Sequence, residues 1–249
     1  MSIVIKSDRE IAIMREAGRI TATVLNTVAL AVRPGMETRE LDNIAVREAK
    51  AMGAIPSFKG YNGYPASLCV SINEEIVHGI PGKRIIKEGD IVSLDFGVIY
   101  DGFQGDSAVT VGAGKVTEQA ANLMLVTKNA LDMGIKAAKE GARLGDISAA
   151  IGNYAESKGY SVVREYSGHG IGRDMHEDPL VPNFGQAGTG IKLKKGMTLA
   201  IEPMVNIGDW RTKVLKNNWT VVTLDNSLSA HFENTIVITD GEAEILTAL

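Results

Sequence analysis

Four acidic side chains stand within or beside apolar, strand-forming stretches of the 249-residue chain: Asp95, Asp106, Glu202 and Glu233. Asp95 follows Ile-Val-Ser-Leu, Glu202 follows Leu-Ala-Ile, and Glu233 precedes a run rich in β-branched residues. A buried carboxylate is costly unless it is paired or bound to a metal ion. One such residue could be a strand-end acid that faces water. Four of them, with a histidine in the same chain, favour a shared cation site.

The two aspartates belong to one predicted hairpin. Asp101-Gly102 between two apolar runs is a strong signal for a two-residue hairpin turn. With that turn, Asp106 lies opposite Gly97, and Asp95 becomes its diagonal neighbour on the same face, at about 7–8 Å between backbones. Two carboxylates in this arrangement repel each other when no cation is bound, and they can hold a cation between them.

Histidine is the other residue type here that could bind a metal ion, and the chain has four: His78, His169, His176 and His231. His169 lies in Gly168-His169-Gly170-Ile171-Gly172, where the glycines allow a close approach of the backbone. Each histidine could equally be an ordinary loop residue. Carboxylates with one imidazole suit a pair of divalent ions such as Mn, Fe, Co or Zn. A structural zinc site would use more nitrogen and sulfur ligands.

Helical spacing and turn residues predict the elements that position these side chains. A capping box over residues 7–10 begins a first helix, which ends at Pro34-Gly35, and a second helix runs from about Thr38 to Gly53. Further helices are predicted over residues 117–139 and 144–158, and strands over residues 90–96, 107–111, 162–166, 197–202 and 232–239. All four carboxylates therefore lie in predicted strands or at their ends.

The sequence also contains an internal repeat. Three residues recur 106 positions later: Gly35, Leu41 and Gly53 as Gly141, Ile147 and Gly159. The strand over residues 87–95 recurs 107 positions later over residues 194–202. Short matches of this kind can arise by chance, but a fixed offset is the signature of duplication.

A duplication predicts one domain, residues 1–249, made of two halves at about 1–112 and 113–249. A pseudo-twofold axis would relate Asp95 to Glu202 and Asp106 to Glu233. The four carboxylates would then converge near that axis.

Composition excludes several classes of protein. With 45% hydrophobic and 22% charged residues, the chain is an ordinary globular protein with a sizeable core, and its net charge of −4 argues against a nucleic-acid or membrane-surface partner. The longest stretch without a charged residue has 14 residues, whereas a membrane span needs about 20. Charges at residues 8–10 argue against a signal peptide, and the lone Cys69 excludes an internal disulfide. We therefore expect a cytoplasmic protein.

Four longer motifs surround the candidate residues: Cys69-Val70-Ser71-Ile72-Asn73-Glu74, Val77-His78-Gly79-Ile80-Pro81, Gly168-His169-Gly170-Ile171-Gly172 and Ala200-Ile201-Glu202-Pro203-Met204. In this order they resemble the type I methionine aminopeptidases in their bacterial form, over nearly the whole chain. The resemblance implies an α+β fold, the duplicated pita-bread fold, in which two pairs of helices cover an antiparallel sheet. It also implies removal of the initiator methionine from nascent polypeptides, with preference for a small second residue.

The resemblance assigns a role to individual positions. Two divalent ions would be bound by Asp95, Asp106, His169, Glu202 and Glu233. The ions would activate a water, Glu202 would exchange its proton, and His176 and His78 would contact the carbonyl oxygen and the amide nitrogen of the first peptide bond. The methionine side chain would contact Phe58, Tyr61, Tyr64, Cys69, Met175 and Trp219, of which Phe58 and Met175 could equally be core residues. A monovalent cation is implied near Asn73, Glu75 and Ser229.

One position departs from the family pattern. Asn234 stands where the family usually has histidine directly after the last glutamate. Strand alternation turns Asn234 away from the face of Glu233, so the ligand set should survive while the packing behind it changes. The same alternation places His231 on the Glu233 side, with no role assigned.

Two alternatives use the same fold. One is an X-Pro aminopeptidase, which usually carries an added N-terminal domain, and the other is a non-catalytic binding protein, whose relatives have lost metal ligands that this chain retains. A serine or cysteine hydrolase is disfavoured, because Gly-x-Ser-x-Gly is absent and Cys69 has no evident activating partner. We expect a monomer whose partners are nascent N-termini and the ribosome.

Overall fold

The computed structural model describes residues 3–249. Within this part of the chain there are four α-helices: α1 (Asp8–Ala31), α2 (Thr38–Ala51), α3 (Glu118–Ala137) and α4 (Leu144–Ser157). A short 3₁₀ turn spans Tyr61–Gly63. No helix among residues 3–249 combines the length and the apolar character needed to cross a membrane.

The strands of the same residues are mostly short. They are β1 (Ile55–Pro56), β2 (Cys69–Ile72), β3 (Glu75–Val77), β4 (Ile91–Tyr100), β5 (Phe103–Gly112), β6 (Ser161–Val162), β7 (Gly168–Gly170), β8 (Glu177–Val181), β9 (Thr198–Ile201), β10 (Met204–Asn206), β11 (Thr212–Val214), β12 (Val221–Thr223), β13 (Ser229–His231), β14 (Glu233–Val237) and β15 (Glu244–Ile245).

A nine-stranded sheet forms the centre of the molecule. Its main order is β1-β4-β5-β14-β9-β7-β8, with β2 also paired to β4 and β15 to β14. The two long strands β4 and β5 form the predicted hairpin: Asp101 and Gly102 both have positive φ at the turn, and Gly97 pairs with Asp106. Two three-stranded sheets, β13-β10-β6 and β11-β12-β3, complete the β structure of the described residues.

The helices cover the sheet as two pairs, and each pair has its own core. The capping box at Ser7 and Glu10 begins α1, whose buried face packs with α2 on strands β2 and β4. Helices α3 and α4 pack on β9 and β14 in a second buried cluster. This arrangement fits two halves that meet between β5 and β14. The boundary at residues 112 and 113 stays a prediction.

Several predicted strands differ from the observed ones in their ends. The hairpin strands expected over residues 90–96 and 107–111 extend over Ile91–Tyr100 and Phe103–Gly112. The strand expected over residues 162–166 ends at Val162. The N–H of Val163 still donates to the carbonyl of Met204, and the chain then bends at Arg164 and Glu165. At the bend, the Arg164 guanidinium lies over the Trp210 ring. The strand expected over residues 232–239 spans Glu233–Val237. The N–H of Phe232 donates to the carbonyl of Pro203, which continues the β13–β10 pairing and not that of the central sheet.

Candidate metal centre and adjoining cavity

Cross-strand register places the predicted ligands of β4, β5 and β14 on one face of the central sheet. Asp95 pairs with Ala108, and Ala108 pairs with Glu233, so these residues form one row across three strands. Asp106 is two residues from Ala108 along β5 and therefore shares its face. Three carboxylates thus point to the same side of the sheet.

The other two predicted ligands reach this face from β9 and β7. Glu202 directly follows β9, and His169 pairs with Ala200, two residues before it. Strand β7 fits between β8 and β9 because glycines flank His169. A Cβ at Gly168 would lie 2.3 Å from the carbonyl oxygen of Ala200, and one at Gly170 would lie 2.2 Å from that of Asp178. The glycines of this motif therefore serve the close approach that brings His169 to the carboxylates.

The five side chains line one cavity, and three of them converge closely enough to share a cation. His169 Nε2 lies 4.0 Å from Asp106 Oδ2 and 3.6 Å from Glu202 Oε1. One ligand atom each of Asp106, His169 and Glu233 lies within 4.8 Å of the other two, and all three residues are buried. The structure therefore brings together every residue that the sequence predicted as a ligand.

Burial and mutual repulsion control protonation at this site. Burial raises the pKa of Asp106 to about 7. Burial and then the neighbouring carboxylates raise the pKa values of Asp95, Glu202 and Glu233 well above their usual range. Burial and then the His176 imidazole lower the pKa of His169 to about 3, so its imidazole is neutral and can act as a ligand. Positive charge at the site would favour the ionised carboxylates.

Unpartnered oxygen atoms show that the residues fit a metal ion. Asp95 Oδ1, Asp106 Oδ1 and Glu233 Oε1 are buried and receive no hydrogen bond from the described residues. Buried polar atoms of native proteins are nearly always satisfied, and a cation between these oxygens would satisfy them. Burial raises the pKa of the nearby Cys69 thiol. Oxygen ligands with one imidazole fit a divalent ion of the Mn to Zn series.

The centre opens into a cavity of about 160 Å³. All six residues predicted to contact the methionine side chain line this cavity: Phe58, Tyr61, Tyr64, Cys69, Met175 and Trp219. The rings of Tyr64 and Trp219 meet edge to face with centroids 5.1 Å apart, and the Tyr64 hydroxyl donates to the carbonyl of Gly79 at 2.9 Å. The aromatic wall is therefore fixed by packing and by a hydrogen bond. Asn62 also lines the cavity and was not anticipated.

Two further histidines line the cavity beside the centre. His78 has φ +59, an uncommon left-handed conformation, at the end of β3, and its ring contacts the edges of Tyr166 and Trp219. Burial and then His176 lower the pKa of His78 to about 4. Burial also lowers the pKa of His176, whose Nδ1 lies 2.7 Å from the Tyr61 hydroxyl oxygen. Both imidazoles are neutral near pH 7 and can donate a hydrogen bond without adding charge.

His231 is a site residue to which the sequence assigned no role. It is 1% exposed, and its Nε2 lies 3.6 Å from Glu202 Oε2. Thr110 holds its backbone, accepting from the N–H of His231 at 2.9 Å and donating to its carbonyl at 2.8 Å. Strand alternation from Glu233 was the available signal, because it predicts the face of His231 although not its contact.

The neighbouring Asn234 turns away from the cavity, as alternation predicts. Its side-chain amide donates to Thr247 Oγ1 at 2.9 Å. Asn234 therefore holds the C-terminal residues and points away from the ligand atoms.

The residues implied for a monovalent cation lie near one another, around the turn between β2 and β3. The N–H of Ser229 donates to the carbonyl of Asn73 at 2.9 Å. The Glu75 carboxylate accepts from the N–H of Ile72 at 2.8 Å and contacts Arg84 at 2.6 Å. A cation at this turn stays a prediction.

Comparison with known proteins gives a consistent result. The model of metallopeptidase family M24 matches residues 12–240. The methionine aminopeptidase of Clostridium acetobutylicum is 54% identical over 246 residues, which are 98% of each chain. Methionine aminopeptidase 1 of Bacillus subtilis is 53% identical over 245 residues, covering 98% of this chain and 99% of its own.

Solved structures agree with these sequence matches. The crystal structure of methionine aminopeptidase from Thermotoga maritima is similar over the whole of both chains, with a TM-score of 0.98 and 48% identity. The prolidase from Pyrococcus furiosus has a TM-score of 0.78 at 22% identity, covering 99% of this chain and 66% of its own, which shows the shared fold alone. The predicted pita-bread fold is confirmed, and the identities favour the aminopeptidase interpretation over the X-Pro alternative.

Proposed function

Since the chain belongs to metallopeptidase family M24 and, within it, to the methionine aminopeptidases, we propose that its buried carboxylate centre removes the initiator methionine of nascent polypeptides. The chain is a metal-dependent hydrolase of N-terminal methionine. One observation carries the assignment to this centre: buried carboxylate oxygens without hydrogen-bond partners lie beside one neutral imidazole. The carboxylates line a mostly apolar cavity that also has aromatic side chains in its wall.

We propose that two divalent ions are bound there by Asp95, Asp106, His169, Glu202 and Glu233. When bound, such ions act as Lewis acids that make a water nucleophilic near neutral pH and polarise the scissile carbonyl. The ligand set is drawn from four strands and one strand end, and these side chains share one face of a single sheet. A rigid sheet of this kind supports fixed positions for the ligands.

The protein's own groups supply proton transfer and hydrogen bonds. The Glu202 carboxyl, whose pKa is raised by burial and by Asp95 and Asp106, is suited to accept a proton and return it to the leaving amine. His176 and His78 are neutral donors on the cavity wall. We assign them hydrogen bonds to the carbonyl oxygen and to the amide nitrogen of the first peptide bond. Such a donor aimed at the developing oxyanion stabilises the transition state.

The cavity also accounts for the choice of substrate. An unbranched thioether matches a narrow apolar space between aromatic rings and a buried thiol. The His176 and Tyr61 side chains stand partly exposed at the cavity rim, where the second substrate residue would lie. Crowding at this rim supports a preference for a small second residue.

The test is cleavage of a Met-Gly-Ser peptide followed by mass spectrometry, with chelator-treated protein and with protein reloaded with Mn²⁺ or Co²⁺. We expect no loss of methionine from the peptide with chelated protein and restored cleavage after reloading. Glu202→Gln, reloaded in the same way, should stay inactive. Full activity in a metal-free sample would overturn the proposed mechanism.

The remaining proposals concern the setting of the enzyme. Nascent chains as substrate support a cytoplasmic site of action close to the ribosome. The lone buried Cys69 is consistent with a reducing compartment. We also propose that the enzyme acts as a monomer, because ligands and cavity wall come from one chain.

A further inference from the structure

A buried ion pair lies outside the residues assigned above. The Lys6 ammonium contacts the Glu177 carboxylate, and their side chains are only 3% and 11% exposed. Removing two charges from water is unfavourable, and their mutual attraction offsets that cost only in part. A gain in folding stability is therefore a weak explanation for such a pair. Its surroundings indicate what it does.

The Glu177 carboxylate organises the loop of residues 172–176. Its Oε1 accepts from the N–H groups of Arg173 at 3.0 Å and Asp174 at 3.4 Å, so one oxygen holds two consecutive amide groups of the backbone. This loop carries Met175 and His176, both of which line the substrate cavity. Glu177 itself begins β8, directly after His176. The position of its carboxylate therefore bears on the position of the His176 ring.

Gly172 leaves the space that the ion pair occupies. A Cβ at this residue would lie 2.3 Å from Glu177 Oε1, 2.5 Å from Lys6 Cε and 2.8 Å from Lys6 Nζ. Any other residue would displace the pair. The last glycine of the Gly168–Gly172 motif thus serves this contact, whereas the first two serve the approach of β7 to its neighbours.

Lys6 is fixed independently of the loop. Its N–H donates to the carbonyl of Gly196 at 2.8 Å, and its ammonium also donates to the carbonyl of Val4 at 3.3 Å. Gly196 lies in the turn that precedes β9, the strand that Glu202 directly follows. The segment before α1 therefore links the turn before the Glu202 strand to the loop that bears His176.

We propose that Lys6 and Glu177 are positioning residues that hold the 172–176 loop, and through it His176, in place for catalysis. The role in catalysis rests on the function proposed above. Lys6 supplies the charge that keeps the Glu177 carboxylate in its buried place, and the carboxylate holds the loop backbone. The His176 ring is then held against the Tyr61 hydroxyl, facing the cavity.

The kinetic test is a double-mutant cycle in the metal-loaded enzyme on a Met-Ala peptide. Lys6→Met should lower kcat by roughly 10–100-fold, the range expected when a catalytic group is misplaced by about 1 Å. In a His176→Ala background the same substitution should have little further effect, since the group it positions is gone. The matched control is Lys195→Met, which removes the lysine of an exposed ion pair with Asp240 and should leave kcat unchanged. Effects of Lys6→Met and His176→Ala that multiply would overturn the proposal.

Hydrogen exchange provides a readout that needs no activity. The amide hydrogens of Arg173 and Asp174 should exchange at least about tenfold faster in Lys6→Met than in wild type or Lys195→Met. Equal exchange in all three proteins would overturn the role of the pair. If the wild type is inactive, the proposed function is contradicted, but the comparison of exchange rates still tests the positioning role. Failure of the function and failure of the positioning role are therefore distinguishable.

A second variant keeps the test decisive if Lys6→Met does not fold. Lys6→Met/Glu177→Gln removes both charges, so no unpaired carboxylate is buried, and retains an oxygen that can accept from Arg173 and Asp174. We expect its exchange and kcat to lie between those of wild type and of Lys6→Met. The same absence of further effect in the His176→Ala background is expected. A double variant more impaired than Lys6→Met would contradict the charge argument.

Discussion

Single residues at this centre differ in their charge and in whether their polar atoms have partners within the protein. Asp106 and Glu233 have buried oxygens without a hydrogen-bond donor, and burial raises their pKa values. His78 contacts aromatic edges on the cavity wall, and burial lowers its pKa. The first type needs a cation, whereas the second is already stable without one. The two types should therefore respond differently to substitution.

We predict that Asp106→Asn loses bound metal together with activity, because the amide cannot supply the negative charge that the ions need. His78→Ala should keep its metal content and fold while its rate falls by roughly 10²–10⁴, the usual effect of removing one proton-transfer or hydrogen-bonding group. Metal analysis beside kinetics on both variants checks this. A metal-depleted His78→Ala, or an Asp106→Asn with full metal content, would show that the roles are assigned wrongly.

The lowered pKa of His78 also predicts a pH dependence of stability. The folded protein keeps this imidazole neutral down to about pH 4, while the unfolded chain takes up its proton near pH 6.5. Its contribution to stability is therefore present above pH 6.5 and is lost as the pH falls toward 4. Between pH 6.5 and 4, wild type should lose about 3 kcal/mol more free energy of unfolding than His78→Gln does.

Urea unfolding of both metal-free proteins at the two pH values measures this difference. Metal-free protein is compared so that ion loss in acid does not add to the result. If both proteins show the same pH dependence, His78 is not held neutral by burial.

At the scale of elements, the hairpin of β4 and β5 decides which face the carboxylates occupy. A slip of one residue in its register would turn every side chain of one strand to the other face. The positive-φ turn at Asp101 and Gly102 sets the register locally. The row from Asp95 through Ala108 to Glu233 then extends that register into the second half of the sheet. A two-residue turn thus contributes directly to the geometry of the centre.

Gly97 on this hairpin offers a test of the cavity. It pairs with Asp106, and a Cβ there would lie 3.0 Å from Met175 Cε and 3.1 Å from Phe58 Cε1. Gly97→Ala should narrow the methionine pocket and raise KM for a Met-Ala peptide roughly tenfold, the effect of one misplaced methyl group in an apolar pocket. The third close atom is the carbonyl oxygen of Gly105, at 3.1 Å. Metal content should not change, because none of the three atoms belongs to a ligand.

The control for this substitution is Gly82→Ala. Gly82 has no atom within 4 Å of its added Cβ, apart from its chain neighbours, and its φ is not positive. Kinetics of the two variants on one peptide separate pocket narrowing from a general effect of glycine replacement. An unchanged KM in Gly97→Ala would mean that Phe58 and Met175 do not contact the substrate.

At the scale of the whole molecule, the site exists only where the two halves meet. Asp95 and Asp106 come from the first half, and His169, Glu202 and Glu233 from the second. Both halves of the chain also contribute to the cavity wall. The first half supplies Phe58, Tyr61, Tyr64 and Cys69, and the second supplies Met175, His176 and Trp219. Selectivity is therefore a property of the assembled chain.

From this shared cavity we predict cleavage of Met-Ala and Met-Gly peptides, while Met-Lys and Met-Leu peptides are spared. The aromatic walls accept the unbranched methionine side chain, and the rim excludes a long second residue. Initial rates on the four peptides with one metal-loaded preparation check the prediction. Comparable rates on all four would indicate an aminopeptidase of broad specificity.

Features that depend on local chemistry were accessible from the sequence. The capping box at Ser7, the hairpin turn at Asp101 and Gly102 and the strand alternation around Glu233 each involve residues close together in the chain. They predicted the start of the first helix, the pairing of Gly97 with Asp106 and the direction of the Asn234 side chain, away from the cavity. Strand ends were less predictable, as Val162 and Phe232 show. The backbone there pairs with Met204 and Pro203, which are distant in sequence.

By itself, the sequence determined the residue types of the centre, their order along the chain and, through motif resemblance, the family. The tertiary structure alone decided several further contacts between distant groups. It placed His231 beside Glu202, the Tyr61 hydroxyl beside His176, and Lys6 against Glu177. Tyr61 with His176 and Lys6 with Glu177 join segments more than 100 residues apart in the chain. No local periodicity encodes these contacts, because they follow from the packing of the two halves and their cores against one sheet.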